Sequence, residues 1–255
     1  MTDVSRHEPN TFCWTELVST DQKAATKFYT SLFGWEAQER PIGGGETYTM
    51  FFIDGRAVSA LYSMMKDQRE QGIPSNWMAY VSVENVDEAV RKVQAAGGRA
   101  HAMPFDVMEH GRMSIVQDPT GAVFGLWQAK RFAGAGIQEV PGSVCWRELM
   151  TQNQDIAGKF YSTVFGWSID TSTFHAAYTL IKKDEDGIGG MITVPGAPNA
   201  WITYFIVENC VDFAQKAVKL GGKVHKEPTK IPNIGTFAII ADPQGAVFAV
   251  MQGEM

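Results

Sequence analysis

Cysteine is scarce in this 255-residue chain: Cys13, Cys145 and Cys210 stand far apart, with no CxxC spacing and an odd count. That excludes a disulfide framework or a cysteine-built zinc site. No stretch approaches the roughly 18 unbroken apolar residues that a membrane helix needs. The opening Met1-Thr2-Asp3-Val4-Ser5-Arg6-His7-Glu8 lacks the apolar centre of an export signal. Basic charge is in deficit, with 22 Lys and Arg against 28 Asp and Glu and a formal net charge of -6. Bulk electrostatics therefore point away from nucleic acid and anionic membranes. Histidine is thin too: His7, His101, His110, His175 and His225 form no HxH or HxxxH spacing. The expectation is a reducing, cytoplasmic setting without nucleic-acid or membrane partners.

What the chain has is a repeat. Hydrophobic residues make up 45% and charged residues 20%, the balance of a globular protein long enough for two domains. Cys13-Trp14-Thr15-Glu16-Leu17 returns as Cys145-Trp146-Arg147-Glu148-Leu149, and Phe33-Gly34-Trp35 as Phe165-Gly166-Trp167. At this offset of 132, 12 of the 23 positions from Cys13 to Trp35 are identical. Further on the offset is 124, where Asp118-Pro119-Thr120-Gly121-Ala122-Val123-Phe124 matches Asp242-Pro243-Gln244-Gly245-Ala246-Val247-Phe248. Eight residues are thus lost between Trp167 and Trp201. Two co-linear runs of this kind mark a tandem duplication. The expected division is domain 1 over 10–130, a linker rich in small residues over 131–142, and domain 2 over 143–253.

Each copy reads as two strand–helix–strands modules. An apolar strand over 12–18 leads to a helix capped by Thr20 or Asp21. Ala24, Ala25, Phe28, Tyr29 and Leu32 form its apolar stripe, and Gly34 ends it. Strands over Tyr48–Ile53 and Arg56–Tyr62 flank the hairpin signal Asp54-Gly55. A second strand over Trp77–Val83 precedes a helix capped by Asn85 and stopped by Gly97-Gly98. Two more strands are joined by the turn Asp118-Pro119-Thr120-Gly121. In copy 2, Asn209 caps and Gly221-Gly222 stop the corresponding helix.

This plan, with Phe-Tyr-x-x-x-Phe-Gly-Trp closing the first helix and Asp-Pro-x-Gly-x-x-Phe opening the last strand, resembles the glyoxalase/bleomycin resistance/extradiol dioxygenase, or vicinal oxygen chelate, superfamily. The Cys-Trp-x-Glu-Leu opening is similar to a two-domain glyoxalase-like or hydroxylase-labelled bacterial subgroup that includes a mycobacterial antigen. The resemblance implies an α+β fold: a tandem duplication of a glyoxalase-like domain, four βαβββ modules whose curved mixed sheets form cups. It also implies a divalent metal in the cup. At the family's ligand positions, however, stand Trp14, Ala60, Met78 and Gly125 in copy 1, and Trp146, Gly190, Ile202 and Ala249 in copy 2. None is an oxygen or nitrogen ligand, so no metal cofactor is expected.

Strand alternation instead turns Trp14, Glu16, Met78, Tyr80 and Trp127 of copy 1 to the cup face of their strands. In copy 2 it does the same for Trp146, Glu148, Ile202, Tyr204 and Met251. Leu17, Ala79, Val81, Leu149, Thr203 and Phe205 face the helices. The small residues Ala60, Gly125, Gly190 and Ala249 are expected to leave room for a small organic ligand. A carboxylate in an apolar cup must be paired, hydrogen-bonded or protonated. Glu16 and Glu148 are therefore candidate acid/base residues or partners of a cationic ligand; equally, each accepts structural hydrogen bonds from Tyr80, Tyr204 or Arg147.

Three functions remain open at this point. They are metal-free isomerase or lyase chemistry on Glu16 or Glu148, non-catalytic ligand or drug sequestration, and a metal-dependent glyoxalase or dioxygenase. Other candidates are weaker. Gly43-Gly44-Gly45 reads as a hairpin, Cys13 and Cys145 as small core residues under the helices, and Glu109 and His110 as a loop. His7 reads as tail, and His101 and His225 as edge-strand residues. The duplication makes an internal pseudo-dimer, so a monomer or a homodimer is expected, and the cups can close within or between copies.

Overall fold

The computed structural model describes residues 2–171 and 178–254, so His175 lies outside the described residues. After a short strand β1 (Thr2–Asp3), copy 1 runs β2 (Phe12–Ser19), α1 (Gln22–Phe33), β3 (Glu36–Gly43), β4 (Glu46–Ile53), β5 (Arg56–Ser63) and α2 (Lys66–Glu70). Its second module is β6 (Asn76–Ser82), α3 (Val86–Ala95), β7 (Arg99–Val107), β8 (Gly111–Gln117) and β9 (Val123–Ala129). A two-residue strand β10 (Ile137–Gln138) then pairs with β1.

Copy 2 repeats the plan as β11 (Val144–Met150), α4 (Gln154–Phe165), β12 (Ser168–Asp170), β13 (Tyr178–Lys183) and β14 (Asp186–Ile192). It continues with β15 (Ala200–Ile206), α5 (Cys210–Lys219), β16 (Lys223–Ile231), β17 (Gly235–Ala241) and β18 (Val247–Gly253). No described helix is long and apolar enough to cross a membrane.

The helices start and stop where local chemistry requires. Asp21 accepts from the Ala24 N–H at 2.9 Å, Asn85 from Glu88, Asn153 from Ile156 and Asn209 from Asp212. Each side chain satisfies an amide that the first turn would otherwise leave bare. Gly34 and Gly166 close α1 and α4 in the left-handed region, at φ 77° and 73°. Ala25, Phe28, Tyr29 and Leu32 are the buried stripe of α1.

All eight strands of each sheet come from one copy, in the order β3-β4-β5-β2-β6-β9-β8-β7 and β12-β13-β14-β11-β15-β18-β17-β16. The cups therefore close within copies. At the centre of each, the opening strands of the two modules run antiparallel, with Glu16 opposite Met78 and Glu148 opposite Ile202. Two elements escaped the sequence pattern. The edge strand β3 is exposed on both faces and shows no alternation, and α2 is a five-residue helix without a buried residue. The lost residues can now be located. Ala60 and Gly190 hold equivalent places beside the two glutamates, an offset of 130. Copy 2 thus has two residues fewer between Trp167 and Tyr178 than copy 1 has between Trp35 and Tyr48, and lacks the six around α2.

The helix faces of the two sheets meet in the middle of the molecule. One core joins Phe28, Tyr29 and Leu32 of α1 to Phe205, Ala214 and Phe248 of copy 2. Its counterpart joins Phe160, Tyr161 and Phe165 of α4 to Val90, Phe124 and Leu126 of copy 1. Leu17, Ala79, Val81, Leu149 and Phe205 do face these cores, and Thr15 Oγ1 lies 3.3 Å from Thr203 Oγ1 at the seam. With the helix faces spent on each other, the cup residues are left in two separate clusters of their own.

Candidate functional site

In cup 1, β2 carries Trp14 and Glu16 on one face because alternate residues point the same way. β6 brings Tyr80 opposite Trp14. The Tyr80 hydroxyl donates to Glu16 Oε1 and the Tyr48 hydroxyl to Oε2 at 2.7 Å. Glu16 is 7% exposed. Desolvation raises its pKa, and the hydrogen bonds from Tyr80, Tyr48 and Trp14 offset only part of that rise. The same burial, with the Glu16 charge beside them, drives both tyrosines well above their usual range. All three shifts run towards the protonated forms.

Cup 2 reproduces the cluster. The Tyr204 hydroxyl donates to Glu148 Oε1 at 2.9 Å. Tyr178 is also hydrogen-bonded to Glu148 and accepts from the Trp146 indole at 2.8 Å. Desolvation again raises the Glu148 pKa. Arg147 takes no part, contrary to one expectation: alternation sends it to the opposite face, where it donates to the Trp146 carbonyl. Tyr48 and Tyr178 were not singled out from sequence. Their signal was Tyr48-Thr49-Met50 returning as Tyr178-Thr179-Leu180, at the intermediate offset that only the strand pairing exposes.

The small residues do not leave open space. A Cβ on Gly125 would lie 2.1 Å from Tyr80 Cδ1, and one on Gly190 would lie 2.1 Å from the Tyr178 hydroxyl. Tyrosine rings occupy what the missing side chains vacate, so Gly125 and Gly190 seat the acid cluster. Ala60 and Ala249 are fully buried against the cup residues.

The cups differ at their mouths. In cup 1, Phe132 stands edge-on to Trp14 with centroids 4.9 Å apart, and its carbonyl accepts from the Trp127 indole at 2.9 Å. The supposed linker is thus pinned over the cup, and Gly134 and Ala135 fold back onto the Cys13 carbonyl. Trp14, Met78 and Trp127 are no more than 8% exposed. In cup 2, Ile202 and Tyr204 are buried while Trp146 and Met251 keep part of their surface in solvent.

Several secondary expectations change. Cys13 and Cys145 do not sit under the helices, because bulges at Phe12/Trp14 and Val144/Trp146 re-aim them towards a cleft between the copies. His7 is no loose tail residue: it is 8% exposed and bonded to the Ala135 carbonyl at 2.9 Å. His101 and His225 lie on the edge strands β7 and β16, as expected. Glu109 pairs with Arg131 on the surface at 2.6 Å.

A divalent metal of the family type does not fit these cups. The ligand positions hold Trp14, Ala60, Met78 and Gly125, or Trp146, Gly190, Ile202 and Ala249. The one carboxylate in each cup is engaged by tyrosine hydroxyls. Among the described residues no three His, Cys, Asp or Glu side chains gather as a metal site would require.

Known proteins share this architecture. The family description "Glyoxalase/Bleomycin resistance protein/Dioxygenase superfamily" matches residues 11–126. The Mycobacterium tuberculosis protein named "Putative glyoxylase CFP32" is 42% identical over 97% of both chains. The "Anthracycline biosynthesis protein DnrV" of Streptomyces peucetius is 33% identical, over 98% of this chain and 95% of its own. The crystal structure of the Mn(II)-bound glyoxalase from Novosphingobium aromaticivorans superposes with a TM-score of 0.66 at 17% identity, over 96% of this chain and 82% of that one. By duplicated sheet, motif and relatives alike, the chain belongs to the glyoxalase/bleomycin resistance/dioxygenase superfamily.

Proposed function

We propose that the protein binds a small, largely uncharged aromatic molecule in cup 2, without a divalent metal. The observation that carries this reading is the Glu148 carboxyl, buried and bonded to Tyr204 and Tyr178. It lies beside a tryptophan that is only partly covered. A flat ring can stack on Trp146 while the Glu148 carboxyl and the tyrosine hydroxyls meet its polar edge. The relative named for anthracycline biosynthesis supports an aromatic ligand class.

A second reading is acid/base turnover of that ligand, favoured by the raised pKa of Glu148. A carboxyl that holds its proton more tightly than usual can hand it to a ligand oxygen or carbon and recover it later.

Calorimetric titration with 2-naphthol tests the binding reading. One molecule per chain is expected, with affinity lowered several-fold in Glu148→Gln. Unchanged affinity in that variant would remove Glu148 from the site. Lost turnover with retained binding in the Glu16→Gln, Glu148→Gln double variant would favour catalysis. Stoichiometric uptake of Mn, Fe, Ni or Zn by the purified chain would overturn the metal-free reading.

A further inference from the structure

Where β2 and β11 approach each other, a cleft of about 390 Å³ lies between the copies; Trp14 and Trp146 line part of it, but neither Glu16, Glu148 nor the tyrosines bonded to them do. Its walls come from the N-terminal segment, the two opening strands and the stretch around Ala135–Gln138. Arg147 lies in that wall, 6% exposed. Its Nη1 donates to the Trp146 carbonyl at 3.3 Å and its guanidinium carbon stands 5.6 Å from the Phe12 ring centre. The buried Nε has no acceptor. Among the described residues no carboxylate forms an ion pair with Arg147.

An uncompensated buried cation is costly. Burial pulls the Arg147 pKa down to about 10, which still leaves it charged at neutral pH. The repeat sharpens the point, because copy 1 holds Thr15 at the equivalent place and satisfies it with the Met78 carbonyl and Thr203. Copy 2 thus replaces a satisfied hydroxyl with a cation lacking a counter-charge. Among the described lining residues the one acidic group is Glu8, which is exposed and whose charge acts on Lys183. Arg6 adds a second positive charge, and His7 is held by Ala135. Phe12, Val58, Ile137, Val144 and Ile188 supply the apolar wall.

We propose that this cleft is a second ligand site, taking a small apolar carboxylic acid as its anion, with the carboxylate on Arg147 and the tail along that apolar wall. A guanidinium fork matches a carboxylate in plane and charge. The volume falls within the range of roughly 300–1,000 Å³ that small-molecule sites occupy.

Calorimetric titration of the full chain with 3-phenylpropionate, its neutral amide and acetate tests the assignment. The carboxylate should bind wild type and Glu148→Gln alike, and bind Arg147→Thr about tenfold or more weakly. The amide and acetate should each bind wild type at least about tenfold more weakly than 3-phenylpropionate. Equal binding to wild type and Arg147→Thr would overturn the proposal, as would equal binding of the amide or of acetate, or no saturable binding to wild type. Loss of binding in Glu148→Gln alone would move the ligand to cup 2, ending this inference while leaving the cup reading standing. If Arg147→Thr does not fold by circular dichroism, Arg147→Lys keeps the charge without the fork. It should weaken the carboxylate roughly threefold or more, and unchanged affinity there would overturn the proposal too.

Discussion

The hydroxyl of Tyr29, in the first copy, donates to Asp242 Oδ2 of the second at 3.0 Å. On its other side it accepts from the Trp77 indole at 2.9 Å. The mirror chain runs from Trp201 through Tyr161 to Asp118, with distances of 2.8 and 2.9 Å. The remaining oxygen of each aspartate gathers the amides of its own Asp-Pro-x-Gly turn. Both copies therefore carry the Phe-Tyr and Asp-Pro motifs because each motif completes the other copy's turn. The duplication is held together by the two signatures that reveal it.

Tyr29→Phe should remove the hydroxyl at no cost in ring packing, leaving the Trp77 indole and one Asp242 oxygen without their partner. Hydrogen bonds to charged or buried partners of this kind are worth about 1.5–3 kcal/mol, and urea unfolding should show a loss of that order. Tyr161→Phe should cost the same. The two losses should add in the double variant, since the staples share no residue. A loss below about 0.5 kcal/mol would mean that the staple does not hold the copies together.

Stability should also depend on pH with a definite sign. Burial raises the pKa of Glu16, Glu148 and Asp242, so folding takes up protons at these sites. Their contribution is fully present below the unfolded values, 4.5 for the glutamates, and is lost as pH rises towards the folded values. His7, whose pKa burial lowers, acts the opposite way and favours folding as pH rises towards 6.5. The Glu16→Gln, Glu148→Gln double variant isolates the glutamates. The stability of wild type relative to this variant should decline from about pH 4.5 upwards, followed by urea midpoints. A difference that is flat or rises with pH would show that the fold does not raise the pKa of these carboxyls.

The legible parts of this chain are those where one residue type answers one local need. Asp21, Asn85 and Asn209 cap helices, Gly34 ends one, and alternation along β2 sorts Leu17 from Trp14 and Glu16. The lone carboxyl of each cup was legible for the same reason, as a charge on an apolar face. What stayed hidden depends on distant partners. Tyr48 reaches Glu16 from a strand 32 residues away, and Gly125 looked like empty space because nothing in the sequence says that the Tyr80 ring lies over it. Arg147 looked like a partner for Glu148 until a strand's two faces separated them. Phe132 was hidden inside a stretch of glycine and alanine whose composition suggests a tether.

That phenylalanine distinguishes the two cups, and it can be removed. Its ring covers Trp14 and lies 6.1 Å from Trp127, while the bond from the Trp127 indole goes to its backbone carbonyl and survives truncation. Phe132→Ala should therefore keep the segment in place and open the mouth of cup 1. The ring is only partly buried, so the expected loss is about 1–2 kcal/mol, below the range for a fully buried phenylalanine. The informative readout is stoichiometry. Wild type should bind one 2-naphthol per chain in cup 2, and Phe132→Ala should bind two, because Tyr48, Tyr80 and Glu16 repeat the hydrogen-bonding set of cup 2. Introducing Glu16→Gln into the opened variant should weaken the added site and leave the first unchanged. A stoichiometry of one in both proteins would mean that Phe132 is not what closes cup 1, and that the duplicated acid cluster serves the fold there and not a ligand.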